Sequence, residues 1–313
     1  MNVDINTMLL ALQDPQTYAH KTEKIELIET HISWVILTGM YAYKIKKPVN
    51  MGFLDFSTLA KRKHYCELEL VLNKRLAADY YLEVVPVTGS YQQPTLGGGE
   101  EVIEYALKMR QFPKDAELDI KLASGVLDKS MMELLAEKIA AFHQQINVAD
   151  DASSFGDLLH VHQPVLNSYA EIVKHVKDEA VIACLNSLKN WSCNEYERLK
   201  EIFLSRKNDG FVRECHGDLH LRNIAIVGDE VIAFDCIEFN EDLRWNDVIS
   251  EIAFVCMDLD DHHCPELASR FLNHYLALTG DYAGLKVFNY YLVYRATVRA
   301  MVSCIRLKQE ILT

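Results

Sequence analysis

The stretch RECHGDLHLRNIAIVGDEVIAFDCIEF, residues Arg213–Phe239, decides how the rest of the chain is interpreted. Its apolar runs Ile224–Val227 and Val231–Phe234 are separated by the turn residues 228–229, a pattern that is typical of a β-hairpin. Three polar residues stand at the open end of this hairpin: Asp218, Asn223 and Asp235. Because a hairpin returns the chain to the place where it started, we expect these three side chains to converge.

Two carboxylates and one amide in this arrangement suit phosphoryl transfer. Carboxylate and amide oxygens are ligands that Mg²⁺ takes together with water and substrate phosphates. The reaction also needs a carboxylate beside the attacking hydroxyl, to orient this hydroxyl and to accept its proton. The sequence therefore predicts Asp218, Asn223 and Asp235 as the catalytic residues of a magnesium-dependent transfer reaction.

The two halves of the chain differ in the secondary structure that their patterns predict. Apolar runs bounded by turn residues predict strands at 25–30, 34–38, 41–45, 81–88 and 101–109. Leucines that recur every fourth residue predict a helix over 59–78. After Pro113 the pattern is almost wholly helical, apart from the hairpin. We therefore expect an α+β protein with a small, sheet-rich N-terminal lobe at 1–112 and a large helical C-terminal lobe at 113–313.

Composition and charge narrow the class of function. Half of the 313 residues are hydrophobic and a quarter are charged, as in ordinary soluble domains. With 45 acidic and 32 basic residues the formal charge is −13, which repels phosphate backbones and anionic lipid heads. We expect no nucleic-acid partner and no membrane partner. The N-terminus lacks the pattern of a signal peptide, and no cysteine pair has CxxC spacing, so we expect a cytoplasmic protein with reduced thiols.

The motif His216-Gly217-Asp218, followed by Asn223, resembles the catalytic loop of the aminoglycoside phosphotransferase and choline kinase superfamily. Asp235 is similar to the magnesium-binding aspartate of that superfamily, which shares the protein-kinase fold. The resemblance implies that Asp218 is the catalytic base and that Asn223 and Asp235 are the metal ligands. It also implies that Asp247 is a helix residue that hydrogen-bonds the backbone of the catalytic loop, with a solvated helix cap as the alternative.

The resemblance extends to the N-terminal lobe. Residues Tyr41–Lys44 match the apolar-Ala-apolar-Lys pattern of the strand lysine that holds nucleotide phosphates. Lys46 has the same strand parity as Lys44 and is therefore the alternative. On the following helix, Glu69 is the expected partner of the lysine, and Glu67 is the alternative.

Two further stretches would complete a nucleotide site. The segment ALKMRQFP, Ala106–Pro113, resembles the hinge between kinase lobes, where adenine stacks and Met109 would lie at the back of the pocket. Protein kinases cover the phosphates with a glycine-rich loop, but the corresponding turn ETHISW contains no glycine. Thr30, His31 and Ser33 are therefore expected to supply the phosphate contacts.

Over nearly its whole length the chain looks like a bacterial family of aminoglycoside-phosphotransferase-like proteins, many of which carry a second, P-loop ATPase domain. No GxxxxGK[ST] motif occurs in this chain, so such a domain is expected only as a partner. The function that the resemblance implies is transfer of the γ-phosphoryl group of ATP (or GTP), with Mg²⁺, to a hydroxyl group of a small molecule. The alternatives are a protein kinase, a nucleotidyl transferase and a non-catalytic, nucleotide-binding regulatory module.

Overall fold

The computed structural model describes residues 2–52, 54–99, 101–150 and 152–312, and it gives side-chain surroundings for those between 4 and 307. The chain forms two compact units. Unit 1 comprises Met1–Ala116 and Ile232–Asn240, and unit 2 comprises Glu117–Val231 and Glu241–Thr313.

Unit 1 contains residues that lie outside the predicted N-terminal lobe at 1–112. The segment Ile232–Asn240 belongs to unit 1, although the sequence pattern assigned it to the C-terminal lobe. Two carboxylates of this segment form ion pairs with two buried lysines of the sheet in unit 1, and two of its N–H groups donate to side chains of this unit.

Unit 1 is built on a six-stranded antiparallel sheet with the order β1-β2-β3-β6-β4-β5. The strands are β1 (Glu26–Glu29), β2 (Ser33–Leu37), β3 (Tyr41–Lys46), β4 (Tyr81–Gly89), β5 (Pro94–Leu96) and β6 (Val102–Arg110). Its helices are α1 (Asn2–Ala11) and α2 (Leu59–Ala77). The five predicted strands and the predicted helix are confirmed with small shifts at their ends, whereas β5 lies between two predicted strands, where no strand was predicted.

Strand β3 carries charged side chains on one face of the sheet and apolar core side chains on the other. Side chains alternate along a strand, so Lys44 and Lys46 point to one face of the sheet. Tyr43 and Ile45 point to the other face and are buried in an apolar cluster. The cluster also contains residues of α1 and the segment after it, of β2, of β4 and of β6: Met8, Leu9, Leu12, Tyr18, Trp34, Ile36, Val85, Val87 and Ala106.

Unit 2 is largely helical. Its helices are α3 (Leu118–Ala123), α4 (Lys129–Gln145), α5 (Leu158–Val173), α6 (Glu179–Asn208), α7 (Glu241–Arg244), α8 (Val248–Asp261), α9 (Pro265–Thr279) and α10 (Leu285–Leu312). Strand β7 (Val212–Glu214) pairs with β10 (Trp245–Asp247). The predicted hairpin is formed by β8 (Ile224–Val227) and β9 (Glu230–Ala233), with the turn at residues 228–229.

Helix α8 is the central helix of unit 2. Every residue from Val248 to Leu259 is buried, and α9 and α10 pack against it. This buried run nevertheless contains Glu251 and Asp258. Buried carboxylates are costly unless they accept hydrogen bonds or are paired with cations, so each of these two residues requires partners. No helix in the described ranges is both long and apolar enough to cross a membrane.

Candidate active site

In unit 1, β3 and α2 bring two lysines to one carboxylate. Lys44 Nζ lies 2.7 Å from Glu69 Oε1, and Lys46 Nζ lies 2.6 Å from Glu69 Oε2. All three residues are buried. Glu67, the alternative partner, is instead exposed and lies 3.7 Å from Lys63 on the same helix. The two lysines that sequence parity left as alternatives are therefore joined through the two oxygens of Glu69.

Each lysine also contacts a carboxylate of the segment Ile232–Asn240. Lys44 donates a hydrogen bond to Asp235, and Lys46 donates one to Glu238. The Asp235 side chain is 47% exposed, whereas that of Glu238 is 3% exposed. Glu238 was not among the predicted residues. Its sequence signal is an acidic residue within the apolar run CIEF, which immediately follows Asp235.

These ion pairs determine the charge state of unit 1 around Lys44. Burial alone would lower the pKa of both lysines, but the surrounding carboxylates outweigh it and raise both pKa values above their usual range. Burial would raise the pKa of Glu69, but Lys44 and Lys46 outweigh it and lower this pKa. Burial raises the pKa of Glu238 by more than the charge of Lys46 lowers it, so this pKa is above its usual range. Lys44 is therefore protonated at neutral pH, as a phosphate-binding lysine must be.

The other two predicted nucleotide-binding residues also lie in unit 1. Ser33 begins β2 opposite Lys46 and is fully buried, and its Oγ has no hydrogen-bond partner among the described residues. The glycine-free turn before it is closed by Thr30, whose Oγ1 accepts from the Ser33 N–H at 3.0 Å and donates to the Ser33 carbonyl at 3.1 Å. Met109 is half-buried on β6, between β3 and β4.

In unit 2, Asp218 and Asn223 lie together in the loop between β7 and β8. The Asn223 amide nitrogen donates to the Asp218 carbonyl at 2.9 Å and to the Asp218 Oδ2 at 3.0 Å. Because the nitrogen is committed to Asp218, the amide oxygen is the Asn223 atom that a cation would use. The Asp218 side chain is 37% exposed, which gives an external hydroxyl group access to its carboxylate.

Positive groups around Asp218 keep it ionised. Burial alone would raise the pKa of Asp218, but the charge and hydrogen bond of His220, followed by His216 and Arg295, lower this pKa below its usual range. His220 Nε2 lies 3.4 Å from Asp218 Oδ2. A carboxylate that is ionised at neutral pH accepts hydrogen bonds only, so it is suited to orient a hydroxyl group.

Helices α8 and α10 hold the backbone of the catalytic loop. Glu251 accepts a hydrogen bond from the Gly217 N–H at 2.7 Å, and Asp258 accepts one from the Leu221 N–H at 3.0 Å. Arg295 of α10 donates to the Gly217 carbonyl at 3.1 Å. These bonds to buried side chains fix the peptides that flank Asp218.

Asp247 has a different role from the one that the resemblance implied. It caps α8 by accepting from the Ile249 N–H at 2.9 Å, and it pairs with Arg206 at 2.6 and 2.8 Å. It is also buried, so the alternative of a solvated cap is wrong in that respect. Glu251, one turn further along α8, carries a backbone bond to the loop instead. The sequence signal was an acidic pair, Glu251 and Asp258, seven residues apart in an apolar helix.

A buried histidine supports Glu251. His143 Nε2 lies 2.8 Å from a Glu251 carboxylate oxygen, and His143 Nδ1 lies 2.8 Å from the Tyr275 hydroxyl. Burial would raise the pKa of Glu251, but the hydrogen bond and charge of His143 outweigh it and lower this pKa. An ionised Glu251 carboxylate can only accept hydrogen bonds, so the proton of this contact lies on His143 Nε2.

No protein-family model matches the chain. The chain is 32% identical over 286 residues to uncharacterized proteins of Mycobacterium tuberculosis and Mycobacterium bovis. The matched region covers 91% of this chain and 56% of those proteins. The chain therefore spans little more than half the length of these curated relatives.

Solved structures share the fold at low sequence identity. A choline/ethanolamine kinase family protein of Mesorhizobium loti matches with a TM-score of 0.53 and 13% identity, over 99% of this chain and 87% of that one. An aminoglycoside phosphotransferase of Streptomyces rimosus, solved with ADP and streptomycin, matches with a TM-score of 0.53 and 13% sequence identity. This match covers 94% of this chain and 98% of that one. A thermostable mutant of an aminoglycoside phosphotransferase matches with a TM-score of 0.53 and 13% sequence identity, over 92% of this chain and 90% of that one. The chain thus shares the α+β, protein-kinase-like two-lobed fold of these solved structures.

Proposed function

We propose that this chain is a phosphotransferase that moves the γ-phosphoryl group of ATP (or GTP) to a hydroxyl group of a small molecule. The observation that carries the proposal is the catalytic loop of unit 2. There an accessible, ionised Asp218 is oriented by Asn223, and its neighbouring peptides are fixed by buried side chains. The shared fold supports the proposal by analogy, because structures with this fold include phosphotransferases.

The proposed cofactor is Mg²⁺, held by Asn223 and Asp235. The donor chemistry fits this ion, because an amide oxygen and a half-exposed carboxylate are hard oxygen ligands that leave room for water and phosphates. When bound, the ion would neutralise negative charge on the nucleotide phosphates. In unit 1, Lys44 supplies a second, fixed positive charge for the phosphates.

The reaction assigns one task to each remaining group. The acceptor hydroxyl oxygen forms a bond to the γ-phosphorus, while the bond from that phosphorus to the β–γ bridging oxygen breaks and ADP leaves. Asp218 orients the hydroxyl and receives its proton. Asn223 keeps the Asp218 carboxylate in place through the hydrogen bond from its amide nitrogen.

The decisive experiment replaces the proposed base and leaves the size of the side chain unchanged. Asp218→Asn should lower the rate of ADP release by about 10²–10⁴-fold, the usual scale for a lost general base. Its affinity for Mg-ATP should stay close to that of the wild type. The matched control is Asp229→Asn in the exposed turn of the β8–β9 hairpin, which should change neither quantity.

Rates should be measured with water as acceptor and with a panel of hydroxyl metabolites and aminoglycosides. An Asp218→Asn variant with wild-type turnover would refute Asp218 as the base. A wild-type protein that binds Mg-ATP but releases no ADP with any acceptor would refute the phosphotransferase and favour the non-catalytic regulatory module.

A further inference from the structure

The backbone of Asp235 has an unusual conformation. Its φ angle is 64°, in the left-handed region that residues with a Cβ atom rarely adopt. In the described part of the chain, His263 is the other non-glycine residue with positive φ. Such a conformation costs free energy and persists where the surroundings determine it, which happens most often at functional sites.

Two buried side chains of unit 1 accept hydrogen bonds from the backbone at this position. The Asp235 N–H donates to the Tyr81 hydroxyl oxygen at 3.0 Å, and the Cys236 N–H donates to Asn73 Oδ1 at 2.9 Å. Tyr81 begins β4, and Asn73 lies one helical turn after Glu69 on α2. Two consecutive peptide N–H groups are thus held by residues from two different elements.

The side chains that provide these two bonds are themselves fixed. The Asn73 amide nitrogen donates to the Glu69 carbonyl at 2.8 Å, which leaves Oδ1 directed at the Cys236 N–H. The Tyr81 ring is held by its surroundings, because Tyr81 is 2% exposed. The Asp235 carboxylate is held at a third point by its hydrogen bond from Lys44.

We propose that Tyr81 and Asn73 are positioning residues that hold Asp235 in the left-handed conformation in which it meets Lys44. On the function proposed above, this conformation also presents the carboxylate to magnesium. Both residues occupy buried positions at which apolar side chains of similar size would pack. An apolar side chain, however, would leave the N–H group of Asp235 or Cys236 without its present acceptor.

The test removes one acceptor atom and keeps the ring. Tyr81→Phe should weaken Mg-ATP binding about three- to tenfold, the effect of one lost hydrogen bond, while metal-free ATP binding stays nearly constant. Asn73→Ala should show the same selectivity. The matched control is Tyr18→Phe, because Tyr18 is also buried in unit 1 and donates one hydroxyl hydrogen bond, to the Leu12 carbonyl at 2.6 Å.

A second measurement does not depend on nucleotide binding. Cys236 is 1% exposed, so its alkylation by iodoacetamide, followed by mass spectrometry of its peptide, reports local opening of the segment. Alkylation should be about three- to tenfold faster in Tyr81→Phe and unchanged in Tyr18→Phe.

The outcomes separate this proposal from the proposed function. Unchanged alkylation in Tyr81→Phe, or equal losses of ATP binding with and without Mg²⁺, would overturn the positioning role and leave the phosphotransferase intact. A wild-type protein that binds no Mg-ATP would overturn the proposed function. In that case faster alkylation in Tyr81→Phe would still support the hold on Asp235.

Discussion

Replacing Lys46 with methionine should destabilise unit 1 strongly, although no ligand is involved. The ammonium group lies 2.6 Å from Glu69 Oε2 and also hydrogen-bonds Glu238, and all three side chains are almost completely buried. Methionine has a similar length but no charge, so Glu238 loses the lysine that hydrogen-bonds it. Removal of one member of a buried ion pair costs about 3–5 kcal/mol, because a charge is left in a medium of low dielectric constant.

Lys44→Met should cost less than Lys46→Met. Glu69 keeps Lys46 in that variant, and Asp235 is exposed enough to be hydrated. The loss is then that of charge-assisted hydrogen bonds, about 1.5–3 kcal/mol. Binding of Mg-ATP should show the reverse order, with loss of binding in Lys44→Met and retention in folded Lys46→Met.

The assay should report on unit 1 alone, because a chain with two compact units need not unfold in one step. Cys66 on α2 is fully buried, and burial raises the pKa of its thiol to about 12, so it should react only when unit 1 opens. Pulse alkylation of Cys66 along a urea titration gives the midpoint for this unit. With a slope of about 2 kcal/mol per molar urea, Lys46→Met should lower this midpoint by about 2 M.

The matched control for both variants is Lys63→Met, which removes an exposed lysine 3.7 Å from Glu67 on the same helix. Such exposed pairs contribute about 0–1 kcal/mol. A Lys46→Met midpoint no lower than that of Lys63→Met would refute the reasoning about buried charge. A larger loss of stability in Lys44→Met than in Lys46→Met would refute the assignment of the stronger structural role to Lys46.

Two further predictions concern single groups of the site. Ser33→Ala removes a buried hydroxyl group that has no hydrogen-bond partner among the described residues, so the free energy of unfolding should not fall. The measurement is a urea titration, and a loss of more than about 1 kcal/mol would contradict the prediction. Because the folded pKa of Asp218 is below its usual range, lowering the pH from 8 to 5 should not protonate it. The rate of ADP release should therefore show no acid limb from Asp218, and protonation of its carboxyl group between pH 8 and pH 5, followed by NMR of this side chain, would contradict this.

Local pattern was sufficient to predict the strands and the helix of unit 1. Parity along β3 placed Lys44 and Lys46 on one face, and the position of Glu69 on the next helix made it the expected partner. These inferences depend on neighbours in sequence. The contact between Lys46 and Glu238 joins residues that are 192 positions apart, and no local periodicity contains that information.

The function of Asp247 was misjudged for a related reason. Comparison of the sequence with a motif identifies an acidic residue at the start of α8. Which acidic residue of α8 hydrogen-bonds the loop depends, however, on which side of the helix faces the loop. Arg206 draws Asp247 into a separate ion pair that also contains Asp281, so the helix start is occupied. The backbone of the loop is then left to Glu251, one turn later.

Helix α8 meets the catalytic loop along one face, which explains how Asp218 is held without being blocked. Glu251, Phe254 and Asp258 are spaced by three and four residues and therefore share one side of the helix. In the same order they contact three residues of the loop 216–223: the Gly217 N–H at 2.7 Å, the His220 ring edge-on at 5.4 Å between centroids, and the Leu221 N–H at 3.0 Å. The helix thus contacts residues on both sides of Asp218, and the Asp218 carboxylate remains partly exposed. A base that must meet an external hydroxyl requires this combination of a fixed backbone and an accessible side chain.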